Sequence, residues 1–452
     1  MSSPVVAVPR GTRFRLFPQL PTLKEQGDPE TVWVSPPPGT VFPGPADARM
    51  YVVDPIGKER PYGYYEGPGD ETYHYGPPWI GPIIPPAEPD EHGHFDHIEF
   101  GTPQFLQAHA YGSIRFTLDI WQEYFGRGIG WHFADSRQRL EIVFLPGLDN
   151  AYAGYGSIEI GSFRTSSGDW LEFGLSFDVV SHETGHLIVY GEVGLPDGSP
   201  LHGELFGFHE SCADMVSLIS LMHFKSALTG VLEASRGNLY SYNRLNRFGE
   251  VSDLDQLRLA SNPLTLYDFA DGWVNEHDLA QPLTGALFDI WVDVFHEDLL
   301  RRGLIPAELE DFSDRLEGDP SYHQVIQPQF DRAYERNPEG FAVCLAQARD
   351  YMGRALAHCW SSLRPARLDY AEVSRAFLAA DNALTDGRFQ RIITGNMERR
   401  GIGRVRAGPK LLSTGADSHS FTIRDDLPEI CRSGRSLPFR TRLAHRQDAS
   451  RR

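Results

Sequence analysis

Ser181-His182-Glu183-Thr184-Gly185-His186 is the stretch from which the rest of the chain is best read. On an α-helix, residues four apart lie one turn above each other on the same face. His182 and His186 therefore direct two imidazole nitrogens at one point, which a metal ion can occupy. Glu183 projects beside them, where it can serve a water molecule as general base. The competing reading is a surface helix with two ordinary histidines. The surrounding chain has to decide, because a catalytic metal usually takes three protein ligands.

Working outward, the 452 residues leave room for two or three domains, and 41% hydrophobic content suits a globular protein with sizeable cores. No run of 18 or more apolar residues is present, so no transmembrane segment is expected. The N-terminal apolar patch is short and broken by prolines, unlike a secretory leader. The expected location is cytoplasmic, or exported without a recognisable signal peptide. A net charge of −19 argues against nucleic acid or anionic membrane as a general partner. Four cysteines at irregular spacing (Cys212, Cys344, Cys359, Cys431) form neither a disulfide framework nor a zinc ribbon. Nothing in the composition speaks to oligomeric state.

Nineteen of the 33 prolines fall in the first hundred residues, and proline neither continues a helix nor sits in a central strand. Residues 1–95 read as a Pro-rich extended segment docked on a folded body by its aromatic residues, Trp33, Tyr62, Tyr64, Tyr65 and Trp79 among them. His92, His94 and His97 with Asp90 and Asp96 form either a solvated polar turn or a second metal cluster. Residues 96–190 read as an α/β lobe. It holds a helix opened by Thr102-Pro103, a buried strand at Leu140–Leu145, a strand near a sheet edge at Ser157–Phe163, and the histidine helix with Asp178 in its first turn. Residues 191–410 read as a helical lobe, with a helix from about Phe208 and further apolar stripes near 282–297, 340–363, 369–384 and 388–400. Asp369 is a candidate helix cap. Residues 411–452 read as an Arg-rich tail, either solvated or partner-binding.

A third His in the pattern H-E-x-x-H-x-x-G-x-x-H is absent, since Val189 and Glu192 occupy the Gly and His places. A carboxylate from a second helix is the alternative. Glu210-Ser211-Cys212-Ala213-Asp214 places two carboxylates on one helix face, flanked by Met215, Val216, Leu218, Ile219 and Leu221. A helix that apolar is buried, and buried carboxylates need partners. One of the pair can ligate the metal while the other orients a ligating His through its far nitrogen.

On these residues the region resembles the thermolysin-like zinc metallopeptidases, the gluzincins, whose signature is H-E-x-x-H followed by a Glu-bearing helix with an Asp four residues on. Asn150-Ala151-Tyr152 resembles that family's substrate-pairing edge segment, and Asp178-Val179-Val180-Ser181-His182-Glu183 its D-V-V-x-H-E. Leu257-Arg258-Leu259-Ala260-Ser261-Asn262-Pro263 resembles its L-R-S-M-S-D-P, and the stretches ARDYMGRAL, YAEVSRAFLAADNAL and MERRGI its helical lobe. The resemblance covers roughly residues 100–405. It implies a two-lobed α+β fold, with a mixed sheet and active-site helix followed by a mainly helical lobe.

The resemblance further implies one zinc ion held by His182, His186 and Glu210, with Asp214 behind the ligands and Glu183 as general base toward a zinc-activated water. Asn150 and Ala151 would hold a peptide or protein substrate as an added strand, and Arg258 would bind a substrate carbonyl. The family's transition-state His corresponds best to His277, oriented by Asp271, with His202, His209 and His223 as competitors. Asp178 matches a family calcium ligand, but Leu221 stands where its partner acid belongs, so the paired calcium site is not expected. The expected activity is zinc-dependent endopeptidase. The alternatives are a catalytically silent zinc-binding member of the fold and a zinc hydrolase of a non-peptide bond. Residues 1–95 are expected to be a permanent part of the catalytic body rather than an inhibitory propeptide.

Overall fold

The computed structural model describes residues 11–21, 27–67, 71–164, 168, 170–195, 203–240, 247–248, 258–316 and 321–403. The Arg-rich tail and His202 lie outside them. The chain is α+β and divides into two compact units. Of the described residues, one unit comprises those up to Asp119 together with Trp131–Leu187, and the other Ile120–Gly130 together with those from Ile188 onward.

The first unit is built on a mixed five-stranded sheet. Its main path runs β3 (Met50–Val53), β6 (Leu140–Pro146), β8 (Ser157–Arg164), β7 (Ala151–Ala153), and β9 (Trp170–Glu172) also pairs with β8. β3, β6 and β8 are parallel, while β7 and β9 run antiparallel to β8. The run Leu140–Leu145 is buried at every position, as a strand between two parallel neighbours should be when both its faces are covered. Gly161 is required in β8, since a Cβ there would overlap the carbonyl oxygens of Leu148 and Asn150.

The proline-rich N-terminal part is more regular than its composition suggests. It holds the hairpins β1 (Thr12–Leu16) with β2 (Glu30–Val34) and β4 (Gly63–Glu66) with β5 (Thr72–Tyr75), and it contributes β3 to the main sheet. Prolines occupy the connections, where a missing N–H costs nothing. Helix α1 (Pro103–Phe125) opens as expected, with Thr102 Oγ1 accepting from the Phe105 amide at 3.1 Å. It packs on the N-terminal segment: Phe14 lies against Tyr111 and stacks on Phe95 with ring centres 5.0 Å apart.

Phe17 ties this segment to both helices of the unit. Its amide donates to His109 Nε2 on α1 at 2.8 Å, and its carbonyl accepts from the amide of Phe177 at 3.2 Å. Phe177 is the first residue of α2 (Phe177–Glu192), the histidine helix, so a group from residue 17 satisfies one of the four amides that a helix N-terminus leaves unpaired. Thr117 Oγ1 on α1 meets Ser181 Oγ on α2 at 3.1 Å.

The second unit is mainly helical. α3 (Glu204–Leu221) is buried at every position except Phe206, the pattern of a helix surrounded by others. It begins four residues ahead of the expected Phe208. α4 (Lys225–Ser235) follows, then a short ladder of β10 (Arg247–Phe248) with β11 (Arg258–Leu259). α5 (Glu276–Arg301) packs along α3 and starts under an Asn275 cap that accepts from the His277 amide at 2.8 Å. α6 (Ala307–Arg315), α7 (Tyr322–Arg336), α8 (Pro338–Ser362), α9 (Tyr370–Thr385) and α10 (Gln390–Arg399) complete the unit. Asp369 caps α9, accepting from the Glu372 amide at 2.7 Å.

Arg400, beyond α10, pairs with Asp289 on α5 at 2.6 Å and donates to the backbone carbonyls of Asn262 and Leu264. Gly285 makes room for it. A Cβ on that residue would stand 2.9 Å from the guanidinium carbon. No single helix among the described residues is long and apolar enough to cross a membrane.

Candidate metal centre

Within the first unit, α2 carries His182, Glu183 and His186, which are 6%, 5% and 3% exposed. Each offers a ligand atom within 4.8 Å of the others. Among the described residues this is the one group of three or more His, Cys, Asp or Glu side chains that converges in this way. The convergence follows from helix geometry, and burial holds the side chains in place. Asp178 stays in the first turn, where its carboxylate accepts from the Ser176 hydroxyl and from the Val179 amide at 3.0 Å.

The histidines of the N-terminal segment do not form a second such group. Asp90 Oδ1 accepts from the amides of His92 and His94, at 2.9 and 2.8 Å. His94 Nδ1 accepts from the Arg13 amide, and Asp96 pairs with the Arg13 guanidinium. This is a polar turn fastened to β1.

β7 stands at the end of the sheet's main path, and its backbone orientation is set by its partner. Gly161 N donates to Asn150 O at 2.9 Å and Gly154 N donates to Ser157 O at 2.7 Å. In an antiparallel ladder hydrogen-bonded pairs alternate with non-bonded ones. The pair Tyr152–Glu159 between them is therefore the bonded one, and the main-chain groups of Ala151 and Ala153 turn away from β8. The Ala153 amide uses that freedom to donate to Glu183 Oε2 at 2.7 Å. The Ala151 amide donates to Asn150 Oδ1 at 2.8 Å. Ala153 was not singled out from the sequence, and nothing local signals a bond that spans 30 residues.

In the second unit Glu210 lies on α3, 2% exposed, and its Oε2 stands 2.8 Å from His277 Nδ1. Asp214, one turn on, accepts from Thr284 Oγ1 on α5 at 3.3 Å. The structure thus brings Glu210 to His277 and Asp214 to α5. Asp271 is exposed, and among the described residues no hydrogen bond or ion pair joins it to His277. The competing histidines are committed elsewhere. His209 stacks with its ring centre 4.4 Å from that of Tyr190, and burial lowers its pKa to about 4. His223 Nε2 lies 2.8 Å from the Tyr124 hydroxyl, its pKa pushed down to about 3, first by burial and then by Arg349. Arg258 lies on β11, its backbone paired with Phe248, and its side chain is outside the described set.

The sequence also gave no hint of a buried charge cluster beneath the N-terminal segment. Glu141 on β6 and Glu159 on β8 share one face of the sheet, because Glu159 is opposite Val143, two residues on from Glu141. Lys58 pairs with Glu159 at 2.8 Å, with both side chains essentially inaccessible. Glu141 accepts from the hydroxyls of Tyr51 and Tyr62 and from the Trp79 amide.

No family model matches the chain, and no curated protein matches it. Among solved structures it is similar to the precursor of protealysin, a metalloproteinase from Serratia proteamaculans. The TM-score is 0.40 and the identity 13%, over 80% of this chain and 90% of that one. A likeness of that strength decides nothing about the chemistry of this chain.

Proposed function

We propose that the chain is a zinc-dependent endopeptidase with Glu183 as its general base. The observation that supports this most is the convergence of His182, His186 and Glu183 on one buried point, with Glu183 held by the edge-strand amide of Ala153. Two imidazole nitrogens on one helix face suit zinc, and the carboxylate beside them suits a base toward a water at that point. Glu210 is the proposed third ligand, on the strength of the Glu210–Asp214 pattern. Bound there, the ion supplies Lewis acidity toward a scissile carbonyl and makes water a stronger acid.

Glu183 takes the proton of the attacking water and passes it to the leaving amine. The Ala153 amide orients that carboxylate. Asn150 and Ala151 are proposed to receive the substrate backbone as an added strand, through the Ala151 carbonyl that turns away from β8, while the Ala153 amide stays with Glu183. His277 is proposed to stabilise the oxyanion and Arg258 to bind a substrate carbonyl. Asp271 stays a candidate orienter of His277 by sequence position alone.

The test is metal analysis with cleavage of a quenched peptide library, comparing the unaltered chain with Glu183→Gln. Zinc in both and cleavage only in the former is the expected result. Zinc without cleavage by either would sink the peptidase reading and favour a silent member of the fold. Cleavage by the variant at the unaltered rate would remove Glu183 from the mechanism.

A further inference from the structure

The geometry points to Lys58 as a positioning residue for the edge strand that holds Glu183. The route is short and lies wholly within the first unit. Lys58 Nζ pairs with Glu159 Oε1 at 2.8 Å. The same carboxylate accepts from the Tyr62 amide at 2.8 Å, and Glu159 stands directly opposite Tyr152 in the ladder, where the Tyr152 side chain favours its ionised form. Tyr152 is the middle residue of β7, and its neighbour Ala153 donates to Glu183 Oε2 at 2.7 Å.

The physical need for such a device is plain. β7 is three residues long and has one described partner strand, which by itself holds a strand weakly. A side chain fixed at Tyr152 restrains the strand against sliding and twisting about that ladder. Glu159, though, is 1% exposed, and burial pushes its pKa up. Without a counter-charge it would take a proton and lose strength as an acceptor. Lys58 supplies the counter-charge. Its ammonium donates also to the Arg60 carbonyl and lies over the Tyr62 ring, 3.9 Å from its centre. The facing groups on neighbouring elements are Glu141 and Tyr75, and Arg60, two residues along the chain, is a second cation that adds to burial in pushing the Lys58 pKa down.

The proline-rich segment therefore does more than cover the sheet. Through Lys58 it sets the strand on one side of Glu183, and through the Phe17 carbonyl it caps the helix on which Glu183 sits. A removable leader would take both supports with it.

The kinetic part of this inference rests on the peptidase reading, and a second measurement does not. In Lys58→Met/Glu159→Met both charges go together, and replacing a buried pair by apolar side chains of similar size commonly preserves the fold. Tyr152→Phe removes a single hydroxyl. Each full-length variant is examined for zinc content, thermal unfolding, hydrogen exchange of the peptide covering residues 150–155, and the pH profile of kcat/KM.

Unchanged zinc and folding are expected, with faster exchange at 150–155 and a displaced acid limb. A fall in kcat of about 10- to 100-fold is expected for the double variant, of the size that small misplacements of catalytic groups produce. Tyr152→Phe should move the same readouts less. Folded variants with unaltered exchange at 150–155 overturn the inference. If the unaltered chain cleaves nothing while the variants still loosen 150–155, the positioning role stands and the peptidase reading fails.

Discussion

The amide of Ala153 donates to Glu183 Oε2 across 2.7 Å, joining the edge strand to the helix of the candidate metal centre. A hydrogen bond of this kind stabilises the ionised carboxylate and so lowers its affinity for a proton. Ala153→Pro removes the donor at a place where the amide faces away from the neighbouring strand, which an edge strand tolerates. Loss of a charge-assisted bond should raise the acid limb of the pH–rate profile by about one pH unit. An unmoved acid limb in a folded Ala153→Pro protein would show that the bond is structural only.

Glu210 and His277 are neighbours in the structure, yet their proposed roles differ. Glu210→Gln should release zinc on dialysis, as measured by metal content. His277→Ala should keep its zinc and lose turnover by roughly 10²–10³-fold, the usual effect of removing one oxyanion donor. If both variants lose zinc, His277 belongs among the ligands. Chelation of the unaltered chain should abolish cleavage, and added zinc should restore it.

His109 gives stability a definite pH dependence. Complete burial lowers its pKa from 6.5 to about 4, and its Nε2 accepts from the Phe17 amide. Above pH 6.5 the ring is neutral in folded and unfolded chains, and its contribution is fully present. Below that the unfolded chain takes the proton first, so stability is lost as pH falls from about 6.5 toward 4. His223 and His296, also lowered by burial, add slope of the same sign. Thermal unfolding from pH 7 to pH 4 should show the fall, and His109→Gln should flatten it.

Asp293 acts in the opposite sense. Burial raises its pKa to about 6, while Asn396 and Tyr240 donate to it at 2.7 and 3.1 Å. A carboxyl that favours its proton when folded contributes most at low pH and loses that contribution as pH rises through about 6. Asp293→Asn keeps the hydrogen-bonding shape without the charge. It should raise stability at pH 7–8 by on the order of 1 kcal/mol, with no gain at pH 4, as read from denaturant midpoints.

Gly285→Ala tests the packing of Arg400. The added methyl would meet the guanidinium at 2.9–3.0 Å. That group cannot move without loosening Asp289 and the carbonyls of Asn262 and Leu264. Overpacking of this sort costs about 1–3 kcal/mol. A variant as stable as the unaltered chain would mean that the ion pair is readily rearranged.

Periodicity is a local property, and what depended on it could be read directly from the residues. A four-residue spacing and a helical apolar stripe are enough to put His182, Glu183 and His186 at one point. They likewise foretell α1 with its Thr102 cap and α9 with its Asp369 cap. The unbroken apolar run at Leu140–Leu145 similarly announces a buried strand.

What stayed hidden depends on partners far along the chain. Proline content disguised the strands of the first hundred residues, because a strand is made by its ladder and β3 finds its partner 90 residues on. The pairs Ala153–Glu183, Lys58–Glu159 and Glu210–His277 span 30, 101 and 67 residues. No window of sequence contains them. They exist because register and packing bring the groups together, and because a buried charge must then find a partner. The convergent His-Glu-His face of one helix was therefore legible in six residues, while the strand, the cap and the buried ion pair around it required the fold.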